Sequence, residues 1–239
     1  LARIPLFSPD SMTPEQERVY RAVVDGPRGT VVGPLRAALH RPELADRWQR
    51  FGEILRFGTS LPAWATELAI VVTARRWNSQ LEWHVHAQAA ASAGISEAAL
   101  ESIRCGGDVR FDDQQQADIY EFARQLQQGG NVEEGVYQRV MNRWGTVGVV
   151  ELGAVIGYYT LVSMTLNLHD IPLPEGVRAP LEVLGAQHGA DAAQAPGEPS
   201  LPVLKPAQVD ADSALSGKGQ CSGRCRGRPA QRAQWKRQA

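Results

Sequence analysis

Up to about Pro180, apolar residues return at helical spacing in one segment after another, separated by Gly, Pro, Asn and Ser punctuation. The stretch SMTPEQERVYRAVVDG offers Ser11 or Thr13 as an N-cap, Pro14 at the first helical position, and Val19, Ala22 and Val23 on one face. In PELADRWQRFGEILRFG, Leu44, Trp48, Phe51, Leu55 and Phe57 repeat at helical intervals and Gly58 marks a stop. Ser60 is expected to cap LPAWATELAIVVTARRW, with Pro62 near its start. The run Ile70-Val71-Val72 is β-prone, but its Ala- and Leu-rich surroundings and the length of the segment predict a helix. Asn78-Ser79 breaks this helix and opens QLEWHVHAQAAASAG, which Gly94 ends. Ser96 caps SEAALESIRCGG, Asp112 or Asp113 caps DDQQQADIYEFARQLQQGG, and Asn131 caps NVEEGVYQRVMNRWG. Thr146 then begins a long apolar helix that Pro172 and Pro174 terminate. With neither an Asn-Gly hairpin nor an alternating strand pair, the pattern predicts an all-α body of about eight helices.

Composition divides the chain. Residues 1–181 form the periodic body, whereas 182–239 are rich in Ala, Gly, Pro and Gln and poor in large apolar side chains. Such a stretch cannot offset the entropy of ordering and is read as a disordered tail. Eight basic against five acidic residues give it +3, leaving −4 on the body, so the overall −1 describes neither. All three lysines lie in the tail. A basic tail can meet phosphates, but Trp235 is its one aromatic, which leaves no stacking ladder for single strands. Nucleic acid is not expected as a partner, and the tail reads as a solvated extension. Cys221 and Cys225 lack further Cys or His neighbours to complete a zinc site.

The apolar share of 43% is enough for a packed core. No apolar run reaches the roughly 18 residues of a membrane span, and Glu151, Asn167 and several Gly and Ser interrupt the last helix. That helix is expected to be either the central core element or an oligomer interface. The opening LARIPLFSPDS lacks the features of a signal peptide. Of the three cysteines only Cys105 falls in the body, which points to a reducing cytoplasm.

Titratable groups gather at Glu67, Arg75, Arg76, Ser79, Glu82, His84 and His86. On a helix starting near Ser79, steps of three and four residues bring Ser79, Glu82 and His86 within about 60° of one another, and His84 points away. A carboxylate one turn before an imidazole can accept its N–H, set its tautomer and raise its pKa, the minimum equipment of a general acid–base pair. An ordinary surface pair is the plain alternative, which Trp83 and the small apolar residues after His86 oppose because they predict a packed helix. Alternate residues on a helix do not converge, so His84, His86 and Glu82 are not expected to hold a metal.

The segment LPAWATELAIVVTARRWNSQLEWHVHAQAAASAGIS resembles the motif region of the carboxymuconolactone decarboxylase family, which includes the alkylhydroperoxidase D-like proteins. The resemblance continues through SEAALESI, DIYEFARQL and VELGAVIGYYTLVSMTLN and covers about residues 35–172. It implies an alkylhydroperoxidase D-like helical bundle. The peroxidase branch carries Cys-x-x-Cys-x-x-x-His with a glutamate twelve residues before the first Cys; here the frame reads Ser79-x-x-Glu82-x-x-x-His86 with Glu67 at that position. Ser and Glu can supply neither the attacking thiolate nor the resolving thiol.

What the resemblance implies is therefore a cofactor-free lyase acting on a small anionic lactone or keto acid. It assigns His86 as proton donor or oxyanion partner, Glu82 as the group that orients it and Glu67 as a relay. Arg75 or Arg76 would pair with a substrate carboxylate, and Ser79, Tyr158 and Asn167 would lie near the substrate; His169 is a weaker candidate. Leu81 stands where the family often has Tyr. The resemblance also implies a homo-trimer or homo-hexamer. Two other readings remain open: a peroxidase using Cys105, and a non-catalytic helical protein that binds a small ligand.

Overall fold

The segment that starts at Leu61-Pro62 has almost no polar face, and it occupies the centre of the molecule. In a computed structural model that describes residues 2–31 and 33–182, it forms α4 (Ala63–Arg76). Ala65, Leu68, Ala69, Val71, Thr73 and Ala74 are fully buried there. The β-prone Ile70-Val71-Val72 run is helical because α4 is surrounded on all sides: it packs against α5 (Gln80–Ser92), α6 (Glu97–Cys105), α7 (Gln114–Gly129) and α8 (Glu134–Leu168). The N-terminal helices α1 (Pro14–Val24), α2 (Pro34–Ala38) and α3 (Pro42–Phe57) form a second group, which α2 and α3 join to α8. The described residues are all-α. Of the tail expected over 182–239, all but Glu182 lies outside the described residues, as do Cys221 and Cys225.

Local chemistry sets most of the boundaries. Thr13 caps α1 and forms a reciprocal box with Gln16, with Pro14 at the first helical position. The Gln16 Nε2 also donates to the Leu39 carbonyl at 3.1 Å, tying α1 to the end of α2. Asp113 accepts from the Gln115 amide, and Gly130 closes α7 in the left-handed conformation. The Ser96 hydroxyl accepts from the Ala99 amide at 3.2 Å. Replacing Ser96 by Ala should cost about 1 kcal/mol of unfolding free energy in urea titrations, because that amide loses its partner; an unchanged midpoint would show that the cap contributes nothing.

Several expected boundaries fall elsewhere. Helix α2 was not expected, since five residues are too few for a periodic signal. The two helices expected after Asn131 and Thr146 are one run, capped by Glu133 rather than Asn131 and interrupted at Gly145 (φ 67°, ψ −175°). Only glycine takes that backbone conformation without strain. Ser60 does not cap α4, which begins after Pro62; its amide and hydroxyl both donate to Glu151 Oε2, at 2.9 and 2.6 Å. The long helix ends at Leu168, before either proline.

Helix α8 is long and apolar enough to cross a membrane, yet half of its most apolar stretch is buried in the fold. Leu152, Val155, Ile156, Tyr159, Val162 and Leu166 face inward, while Val147, Val150, Leu161, Met164 and Leu168 are exposed. Gln127 on α7 ties three helices together. Its side chain accepts from Trp77 Nε1 at 3.0 Å and donates to Thr73 at 3.2 Å and to Thr160 at 2.6 Å.

Candidate active site

The hairpin of α4 and α5 places Glu67, in the second turn of one helix, opposite His86, in the middle of the other. His86 Nδ1 lies 2.7 Å from Glu67 Oε2, and Nε2 lies 3.2 Å from Glu82 Oε2, one turn earlier on α5. The side chains are 2% (His86), 15% (Glu67) and 8% (Glu82) exposed. Each ring nitrogen faces a carboxylate oxygen, an arrangement that only the doubly protonated imidazolium satisfies with two donors. Burial alone would drive the proton off His86, but the hydrogen bonds to Glu67 and Glu82 and their negative charge outweigh it and raise its pKa from 6.5 to about 9. Tyr159 on α8 meets the ring edge-on, with centroids 5.0 Å apart. Burial, with Glu82 nearby, pushes the Tyr159 phenol well above its ordinary range.

A cavity of about 390 Å³ opens beside this trio. His86 and Glu82 supply one end of it; Leu81, Val85, Tyr158, Tyr159 and Val162 form apolar and aromatic walls, and Arg28, Arg56 and Phe57 line it from the N-terminal helices. Tyr158 is fixed by edge contacts with Trp48, Phe51 and Tyr159. Burial raises its pKa, and Arg28 opposes the rise.

The candidate residues named from sequence separate into two groups. Glu67, Glu82 and His86 converge, and Tyr158 lines the cavity. Glu67 lies behind the imidazole and does not line the cavity, whereas Glu82 does. Ser79 begins α5 as expected, but its fully buried hydroxyl neither caps the helix nor reaches the cavity and meets no hydrogen-bond partner.

Arg75 and Arg76 lie elsewhere. They sit at the far end of α4, about 12 Å along the axis from Glu67 at 1.5 Å per residue, and line a separate hollow with Ile103, Tyr120 and Arg124. Arg75, 6% exposed, donates to Asn78 Oδ1 at 2.8 Å and to the Glu182 carbonyl at 3.0 Å. Arg76 donates to the Gln127 carbonyl at 3.3 Å and lies over Trp77. The cations that face the cavity are instead Arg28 and Arg56. Asn167 is exposed and donates to the Trp77 carbonyl at 2.7 Å, so it closes the α4–α5 hairpin. His169 is the C-terminal cap of α8.

Cys105 is exposed and does not line the cavity. Its thiol donates to Glu101 at 3.1 Å, and this bond, with the negative charge of Glu101 beside it, raises its pKa. Among the described residues, no three His, Cys, Asp or Glu side chains are grouped so as to hold a metal ion.

No family model and no curated protein matches the sequence. Solved structures do match the fold. An uncharacterized peroxidase-related protein from Silicibacter sp. TM1040 is 15% identical with a TM-score of 0.57, over 72% of this chain and 91% of that one. Another, from Ralstonia eutropha JMP134 and described as an alkylhydroperoxidase AhpD core, is 14% identical with a TM-score of 0.58, over 73% of this chain and 93% of that one. The debrominase Bmp8, a cysteine-to-alanine variant in complex with 2,3,4-tribromopyrrole, is 12% identical with a TM-score of 0.57, over 74% of this chain and 92% of that one. Identities this low speak to architecture, and the chain has the alkylhydroperoxidase D-like fold.

Proposed function

We propose that the cavity is the active site of a cofactor-free lyase that releases CO₂ from a small anionic lactone or keto acid. The observation that carries this reading is the His86 imidazolium held between Glu67 and Glu82 at the end of an apolar cavity. With a pKa of about 9, His86 rests in its acid form near neutrality. As the C–C bond to the leaving carboxylate breaks, its electron pair passes into the adjacent unsaturated carbonyl and CO₂ departs. The developing enolate oxygen is stabilised by the imidazolium, and carbon takes a proton from the His86 Nε2 side. Glu67 fixes the ring through Nδ1, so the orienting role belongs to Glu67 and the cavity-facing one to Glu82. Solvent returns the proton through Glu82.

The thiol alternative is less well supported, because Cys105 lies off the cavity and its raised pKa disfavours the thiolate that peroxide chemistry requires. The two are separated by screening the purified chain against unsaturated lactones and β-keto acids for CO₂ release, and against organic peroxides, in parent and Cys105→Ser forms. CO₂ release that Cys105→Ser retains is the expected result. Peroxide reduction that Cys105→Ser abolishes, with no CO₂ from any substrate, would replace the lyase reading. Silence in both assays would leave a ligand-binding protein.

A further inference from the structure

Helix α8 has a second apolar face, which the fold leaves uncovered. Val150, Ala154, Gly157, Leu161, Met164 and Leu168 follow one another at alternating intervals of four and three residues. That is the spacing of a helix that seats its length against another helix. The four large side chains of the row are 44–65% exposed, and none of the six residues is charged. The nearest acid, Glu151, is held by the amide and hydroxyl of Ser60. Single apolar residues on a surface need no partner, but a continuous row in helical register does.

The glycines of this face point the same way. A Cβ built on Gly157 would meet nothing within 4 Å, and the same holds for Gly153 one turn earlier. Glycine weakens a helix interior relative to alanine, and no described residue of this chain requires a bare backbone at either position. A second helix that approaches closely does require it.

The order of the row selects the partner. Small residues, Ala154 and Gly157, precede large ones, Leu161, Met164 and Leu168. A parallel copy would set Gly against Gly and Leu against Leu, leaving a gap at one point and crowding at the next. An antiparallel copy sets Gly157 opposite Leu161, Ala154 opposite Met164 and Val150 opposite Leu168, so that each layer fills the space its partner leaves. The same layers recur beyond a two-fold axis, which makes the face complementary to itself. At roughly 90 Å² each, the four large side chains of two copies withdraw about 700 Å² from water before the flanks are counted, within reach of the roughly 1,000 Å² of a specific interface.

We infer that the outward face of α8 is a contact between two copies of this chain, paired antiparallel about a two-fold axis that crosses the helix between Gly157 and Leu161. Such a contact is isologous: it builds a dimer, or a hexamer of three dimers, and it cannot hold a trimer together.

Sedimentation equilibrium of the full chain at micromolar concentration, with a cross-linking test of the register, decides it. The parent should sediment at an even multiple of 26.1 kDa. Leu161→Glu should halve that mass while keeping the circular dichroism of the parent, because it places two carboxylates beside the axis and touches an exposed position. In a background of Cys105→Ser, Cys221→Ser and Cys225→Ser, chains carrying Ala154→Cys or Met164→Cys are oxidised separately and as a mixture. A disulfide-linked dimer should form in the mixture and in neither variant alone, since the antiparallel register holds like residues about 15 Å apart along the axis. A monomeric or trimeric parent, a mass that Leu161→Glu leaves unchanged, a mixture without disulfide, or a disulfide within either variant alone overturns the pairing. A monomer that instead floats with phosphatidylcholine vesicles overturns it in favour of a lipid surface.

Discussion

Replacing His86 by alanine should reduce CO₂ release by about 10²- to 10⁴-fold, the range expected for loss of a general acid. It should also lower stability at pH 7 by about 3–5 kcal/mol, since two buried carboxylates lose the one cation between them. The two effects separate by a second substitution. Combining His86→Ala with Glu67→Gln and Glu82→Gln should restore much of the stability, because the uncompensated charges are gone, while turnover stays lost. Urea unfolding and CO₂ release on the same preparations measure both. If His86→Ala turns over like the parent, the imidazole is not the acid. If it is as stable as the parent, the ion trio is not a buried charge cluster.

The second large effect is a dependence of stability on pH. His86 has a folded pKa of about 9, above its ordinary 6.5. The folded state thus binds the proton more tightly than the unfolded chain does. The stabilisation is fully present below about pH 6.5 and is lost as pH rises through 9. At 1.36 kcal/mol per unit it amounts to about 3 kcal/mol. Urea titrations at pH 6, 7.5 and 9.5 should show this decline in the parent and its absence in His86→Ala. A parent as stable at pH 9.5 as at pH 6 would mean that the imidazole carries no proton between its two glutamates. Activity that depends on the acid form should fall on the alkaline side near pH 9, well above the ordinary histidine range.

The acid–base half of the site was legible because it is local. Glu82 and His86 are one helical turn apart, and their pairing needs nothing beyond the period of α5. Glu67 was legible through the resemblance, which supplies the hairpin that brings residue 67 to residue 86. Sequence proximity misled where it ignored helix length. Arg75 and Arg76 follow Glu67 closely in the chain, but two turns of α4 carry them past the site and into bonds with Asn78, Glu182 and Gln127. Ser79 shares the frame of Glu82 and His86, yet as the residue before the first turn it is buried where the hairpin closes.

Arg28 could not be found from sequence at all. It precedes the stretch that resembles the family and belongs to no motif, and it packs where Gly52 on α3 leaves room for Arg28 Nη2 and the Tyr158 hydroxyl. Arg56, which also lines the cavity, was not among the candidates named from sequence. Among the helices, α4 was recognised against a β-prone run because it is long, and α2 was missed because it is short. The break at Gly145 was expected as a boundary between two helices, and the structure retains it as a bend within one.

Gln127 has a consequence for how the molecule opens. Its carbonyl and amide join α4, α7 and α8 through Trp77, Thr73 and Thr160, so none of the three helices can detach alone without stranding polar groups in the core. These helices form one cooperative unit, the one that carries Glu67 and Tyr159, whereas α1 and α2 are joined to it through fewer and more peripheral contacts. Glu67 and Tyr159 therefore stand on a unit that opens as a whole, and Arg28, in the connection after α1, lies outside it.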